Sequence, residues 1–185
     1  MLFNDHFNLK DKHAFLGASK YHWVNYDVAK MERIFENQYA AILGNRKHAW
    51  AAEAIRLGIR QPRGKKTLSR YINDAIGFRM TPEVVLFYSE NCFGTADAIS
   101  FSKNTLRISD LKTGETKASM TQLEIYAAIF CLEYRHNPHD IETILRIYQS
   151  DEIIEHIPEP ARIREIMNKI KLFDNRIQAM KEVMS

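Results

Sequence analysis

Apolar and polar positions alternate with two different periods along the chain, one helical and one strand-like. Residues 1–16 show no period. Ser19 is a candidate N-cap for a short helix through Trp23. Asp27 can cap a longer helix with apolar positions at Val28, Met31, Ile34, Phe35 and Tyr39. The helical pattern continues past a break expected near Gly44, through His48, Trp50, Ala51, Ala54 and Ile55 to Leu57, and Gly58 stops it. Residues 58–66 read as a loop. Thr67 is expected to cap a further helix carrying Leu68, Tyr71, Ile72 and Ile76, ending at Gly77. The period then changes to that of strands. Glu83–Ser89, Phe93–Phe101 and Thr105–Lys112 are rich in β-branched and aromatic residues and are separated by turn signals at Asn91 and at Ser102-Lys103-Asn104. A strongly apolar helix follows from Thr121 to Tyr134, then a strand over Ile141–Tyr148. Pro158 and Pro160 precede a long helix with a stripe of Ile163, Ile166, Ile170, Phe173, Ile177 and Met180, read as a packing or oligomerisation element.

Three hairpin-linked strands predict an antiparallel meander, and a strand–helix–strand connection predicts a parallel crossover. The expected class is therefore α/β, a mixed central sheet flanked by helices. At 185 residues one domain is expected, with a mostly helical part over 1–80, sheet and helix over 83–149, and the C-terminal helix over 158–184. The longest apolar run, Ile125–Leu132, is too short to span a bilayer, and the first residues mix charges too early for a secretory signal. A cytoplasmic protein with no membrane partner is expected. Its two cysteines, Cys92 and Cys131, cannot by themselves hold an iron–sulfur cluster and read as buried thiols. The net charge of +3 permits a nucleic-acid partner without demonstrating one.

Chemistry concentrates between Gly94 and Tyr126. Asp110 and Lys112 are i and i+2 on a strand, so they share a face while Leu111 points into apolar packing. With the turn centred near Asn104, Asp97 falls opposite Asp110 across the hairpin. Two such carboxylates are costly together unless a cation lies between them. Mg²⁺ or Mn²⁺ suits carboxylate ligands and phosphate oxygens, and activates water. Lys112 can orient that water or stabilise charge on the phosphate. Asp110 and Lys112 taken alone would read as a surface ion pair; the pairing with Asp97 on a neighbouring strand is what points elsewhere.

The order Gly94-Thr95-Ala96-Asp97, then Ile108-Ser109-Asp110-Leu111-Lys112-Thr113-Gly114, then Gln122-Leu123-Glu124-Ile125-Tyr126 resembles the PD-(D/E)XK nuclease superfamily, in its RecB-like and phage exonuclease branch. The resemblance covers residues 94–126. It implies a restriction-endonuclease-like core, metal ligands at Asp97 and Asp110 with the Leu111 carbonyl added, a catalytic Lys112, and a helix face at Gln122 and Tyr126 lining the site. It also implies an upstream histidine that reaches the metal. His48 matches that position, and a helix-surface histidine is the equal alternative, with Glu53 a weaker candidate near it.

The resemblance thus implies a DNA nuclease dependent on Mg²⁺ or Mn²⁺, an exonuclease of recombination or repair in a bacterial or phage-infected cell. Homo-oligomerisation is left open. The alternatives are an endonuclease on the same fold and a catalytically silent nucleic-acid-binding module. Arg60, Arg63, Lys65, Lys66 and Arg70 form a stretch without an acid, either a holder of the DNA backbone or a solvated loop. Ser19, Lys20, Tyr21 and Trp23 could stack a strand end or serve as core.

Overall fold

A computed structural model describes residues 4–114, 116 and 118–184. The chain divides into two compact units, Met1–Gly44 and Asn45–Ser185.

In the first unit, a 3₁₀ turn at Phe7–Leu9 precedes a kinked 3₁₀ segment at Ala18–Asn25. Gly17 rather than Ser19 leads that segment, with no side-chain cap, and the Trp23 indole N–H donates to the Gly17 carbonyl at 3.1 Å. Helix α1 runs Val28–Arg56 without the break expected near Gly44. Asp27 caps it as expected, accepting from the Lys30 amide at 2.7 Å. Phe35 meets Phe15 edge-on and Tyr39 face-on, yet both Phe35 and Tyr39 stay about half exposed.

The second unit is built on five strands: β1 (Thr81–Ser89), β2 (Cys92–Ser102), β3 (Thr105–Leu111), β4 (Glu142–Gln149) and β5 (Glu152–His156). They lie in that order across the sheet. All neighbours are antiparallel except β3 and β4, which are parallel and joined through helix α3 (Thr121–Glu133). This is the expected mixed α/β sheet.

Strand β5 is absent from the sequence reading. Its turn, Ser150-Asp151, has positive φ at both residues without the glycine or asparagine that usually marks such a turn. The turn also explains a second difference. Thr67 does not cap helix α2 (Thr67–Gly77) with its own side chain; Asp151 does so from the β4–β5 turn. The Asp151 carboxylate accepts from the Thr67 amide at 2.7 Å and hydroxyl at 3.0 Å. These bonds hold the Asp151 carboxyl below the usual range.

Two apolar layers cover the sheet. Leu106, Ile108, Leu145 and Ile147 pack with Leu123 and Ala127 of α3 and with Ile163 and Met167 of helix α4 (Pro160–Met184). Ala98, Leu111 and Tyr148 pack on the other side with Ala51, Ala54 and Ile55 of α1 and with Tyr71, Ile72 and Ala75 of α2. Strand β4 buries Thr143, Leu145, Ile147 and Gln149 on one face; on the other Tyr148 is buried, Ile144 and Arg146 are partly buried and Glu142 is exposed. The stripe expected along α4 is core only in its first half; Phe173, Ile177 and Met180 are exposed. No described helix is long and apolar enough to cross a membrane.

Candidate active site

The register of β2 on β3 pairs Ala98 with Ser109, so Asp97 and Asp110 are the next positions across the hairpin. There the ladder opens. In place of a backbone partner, the Leu111 amide donates to Asp97 Oδ2 at 2.9 Å. The Lys112 amide donates instead to the Tyr148 carbonyl of β4 at 2.9 Å. The strand ends thus splay, and both carboxylates stand at the mouth of the splay.

Asp110 is 3% exposed. Burial is the main reason its carboxyl is pushed above the ordinary carboxylate range; the charge of Asp97 adds to this, and Lys112 opposes it. Lys112 Nζ donates to Asp110 Oδ1 at 3.1 Å and lies 3.0 Å from Oδ2. The second contact is an ion pair without hydrogen-bond alignment, so the buried Oδ2 has no hydrogen-bond donor. Lys112 also donates to Gln122 Oε1 at 3.0 Å, and Gln122 Nε2 contacts the Tyr126 hydroxyl at 3.1 Å. Gln122 and Tyr126 share one face of α3 at i, i+4 spacing, as expected. One connected line therefore runs Asp110–Lys112–Gln122–Tyr126.

Helix α1 brings His48 to the same place. Its Nδ1 lies 3.2 Å from Asp97 Oδ2. The hydrogen bond to Asp97 raises the His48 pKa, burial opposes it, and the charges of Asp97, Asp110 and Glu83 reinforce it. Ala51 and Ala52 beside it are buried and allow the helix to approach, while Ala49 is exposed.

Glu83 is the residue the sequence reading missed. The β1–β2 register pairs Pro82 with Ala98 and Val84 with Ala96, which sets Glu83 opposite Asp97. Its φ is +54°, a left-handed conformation inside a strand. One donor atom each from His48, Glu83 and Asp97 lie within 4.8 Å of one another. Asp110 is not part of that compact group. The resemblance implies instead His48, Asp97, Asp110 and the Leu111 carbonyl as the ligand set. Glu83 looked like the first residue of an ordinary strand, and only strand register could have singled it out.

Carboxylates with one imidazole suit Mg²⁺ or Mn²⁺. The donors of His48, Glu83 and Asp97 already converge, and Asp110 keeps a buried oxygen that receives no hydrogen bond. Those two facts fit a cation; neither an ordinary surface ion pair nor a solvated turn would need them.

Gln149 is a second missed residue. Its side-chain amide donates to the Gly114 and Thr116 carbonyls at 2.6 and 2.8 Å and accepts from the Ala118 amide at 3.2 Å. It thereby holds the connection between Lys112 and α3. Glu53 carries an exposed ion pair with Arg56 and is not among the grouped donors.

The basic stretch splits. Arg60, Arg63 and Arg70 line one groove, with Arg70 also donating to the Asp151 carbonyl at 3.3 Å. Lys65 and Lys66 are exposed and line no groove with them. A separate pocket is lined by Lys47, Thr67, Leu68, Leu111, Lys112 and Thr113 among others. Cys92 and Cys131 are both free thiols. Tyr21 is exposed, and the Trp23 ring edge is engaged with Gly17.

No protein-family model and no curated protein matches the chain. Among solved structures, that of SSO0001 shares 18% identity over 81% of this chain and 69% of that one, with a TM-score of 0.38. A likeness of that size carries no argument about family or chemistry.

Proposed function

We propose that this chain is a metal-dependent DNA nuclease of the PD-(D/E)XK superfamily, an exonuclease hydrolysing phosphodiester bonds in recombination or repair. The observation that carries this reading is the convergence of six separately placed side chains at the splayed end of the β2–β3 hairpin. Asp97 and Asp110 come from β2 and β3, Lys112 from the residue just past the end of β3, Gln122 and Tyr126 from α3, and His48 from α1.

His48, Glu83 and Asp97, with Asp110 Oδ2 and the Leu111 carbonyl, would hold Mg²⁺ or Mn²⁺. Such a cation, when bound, supplies charge to the phosphate and acidity to a water. The rest belongs to the protein. Lys112 has three N–H donors and spends two on Asp110 and Gln122, so the third is available to the attacking water or a phosphate oxygen. The fixed ammonium stabilises charge that grows on the phosphate during in-line attack. His48 presents Nδ1 to Asp97, which orients the ring and leaves Nε2 open. Arg60, Arg63 and Arg70 would take the strand's backbone. We place the protein in the cytoplasm of a bacterial or phage-infected cell.

The test compares linear DNA with covalently closed circles, in Mg²⁺ or Mn²⁺ and in EDTA. Loss of the linear form alone, abolished by EDTA, is expected. Cutting of closed circles would replace the exonuclease with an endonuclease. Equal, negligible loss in both conditions would leave a silent nucleic-acid-binding fold.

A further inference from the structure

Two open grooves meet at Gly77 and Phe78. One is lined by Arg60, Arg63 and Arg70, the other by Arg79, Lys103 and Arg107. Among the described residues lining both, Asp74 is the one carboxylate. It is already engaged, accepting from the Tyr148 hydroxyl at 2.8 Å and lying 3.7 Å from Arg146. The whole chain has 26 basic and 23 acidic residues, so six cations against one anion is a local concentration. Arg60, Arg63, Arg79 and Lys103 make no ion pair with any described residue.

Phe78 stands at the junction. It follows the end of α2, is 38% exposed, and has the guanidinium carbons of Arg107 and Arg146 at 5.2 and 4.9 Å from its ring centre. Those two arginines come from adjacent strands, β3 and β4. Next to Phe78, Arg79 occupies a left-handed conformation (φ +53°) at a helix end where glycine is the easy choice. An aromatic ring is thus held at the surface among arginines, and the arginine next in sequence lines the second groove at some backbone strain.

The lane also connects to the site. Thr67, Arg70, Asp74 and Gly77 follow one another at three- and four-residue spacing, so they form one stripe along α2. Thr67 lines the pocket that contains Lys112 and Lys47. From there to Phe78 is the length of an 11-residue helix, about 16 Å at 1.5 Å per residue.

We infer that this lane binds single-stranded nucleic acid, with phosphates on the arginines and Lys103 and a base stacked at the Phe78–arginine cluster. The assignment of that strand as the substrate rests on the nuclease reading above. Single-strand binding follows from the combination of features. A cationic groove alone would accept any polyanion. A ring flanked by guanidinium planes adds a partner for an unpaired base face, which a duplex keeps inside its own stack.

The experiment measures fluorescence anisotropy of a labelled oligo-dT of about 12 nucleotides, within the roughly 4–16 that single-strand sites cover. It is run in EDTA across a salt series, against a duplex of equal length and against heparin as competitor. The single strand is expected to bind more tightly than the duplex. Phe78→Ala should weaken it by about 10-fold, as loss of one stacked base does, with the salt dependence unchanged. Arg79→Ala and Lys103→Ala, both at exposed turns, should each lower the salt slope by about 0.7. Unchanged affinity in Phe78→Ala, or equal binding of strand, duplex and heparin, overturns the inference. Thermal melts show whether each variant is folded, and the two turn variants keep the test alive if Phe78→Ala is not. Because no metal is present, the outcome is separate from cleavage. Phe78-dependent binding without nuclease activity would sink the nuclease reading alone; cleavage with Phe78-independent binding would sink the lane alone.

Discussion

The ring of Tyr126 lies against Gly94 so closely that a Cβ on residue 94 would stand 2.9 Å from Tyr126 Cε1. The glycine of β2 and the tyrosine of α3 are therefore two halves of one contact. Gly94→Ala should push the ring away and break its bond to Gln122, loosening Lys112. A drop in cleavage rate of about 10-fold or more is expected, since a displacement near 1 Å can cost as much as 100-fold. Gly94→Ala combined with Tyr126→Phe should be no worse than Gly94→Ala alone, measured as initial rates on linear DNA.

Glu83 gives a second prediction. Its carboxylate sits with His48 and Asp97, so Glu83→Gln should shrink the rise in melting temperature that Mn²⁺ produces. The metal-free melting temperature should move little, because the residue is only partly buried. A full Mn²⁺ shift in Glu83→Gln would remove it from the ligand set.

Asp110 should destabilise the metal-free protein. Its native pKa is raised above the ordinary 3.8, chiefly by burial, so the native state holds the proton more tightly than the unfolded chain. The sign follows: stability is lost as pH climbs through the native pKa, and the penalty vanishes below the unfolded value. In EDTA at neutral pH, Asp110→Asn should melt higher than the native sequence, at about 2–4 °C per kcal/mol for a chain of this size. The gap should close on acidification, and the variant should be inactive. A lower melting temperature at neutral pH would mean that the ion pair with Lys112 outweighs burial.

His48 predicts the pH dependence of metal binding. Its pKa is raised, mainly by the bond to Asp97, so the ring keeps its proton to a higher pH than the ordinary 6.5. That proton competes with a metal at the ring. Mn²⁺ affinity, read by calorimetry in metal-free protein, should strengthen as pH rises through the native His48 pKa. His48→Ala should bind more weakly and with a flatter pH profile. A parallel profile in the variant would assign the competing proton to another group.

Where local spacing alone sets geometry, the site is legible in the sequence. Lys112, one residue past the end of β3, still reaches Asp110 as the i, i+2 spacing of a strand suggests, and Gln122 and Tyr126 share a helix face because the helical period puts them there. The Asp97–Asp110 proximity followed from one hairpin turn at Lys103-Asn104, whose two positive φ values set the register. What escaped depends on relations that no local period encodes. Glu83 reaches the site through the β1–β2 register and a left-handed backbone, Gln149 through hydrogen bonds to a loop more than 30 residues away. Strand β5 is five residues long, with a turn lacking glycine, and Asp151 took the capping role from Thr67 only because that turn folds back onto α2.

The Gln122 side chain has a fixed polarity. Lys112 can only donate, so the amide oxygen must face it, and the amide nitrogen must therefore face Tyr126. A carboxamide in that position joins two titratable groups mechanically while keeping them apart as acids and bases. It can neither accept the lysine's proton at nitrogen nor pass one to the phenol. The link from α3 is thus a strut and an insulator at once. Lys112 is steadied by the helix yet passes no proton to Tyr126 through it; the acid–base partner it touches directly is Asp110. A glutamate at 122 would keep the strut and lose the insulation.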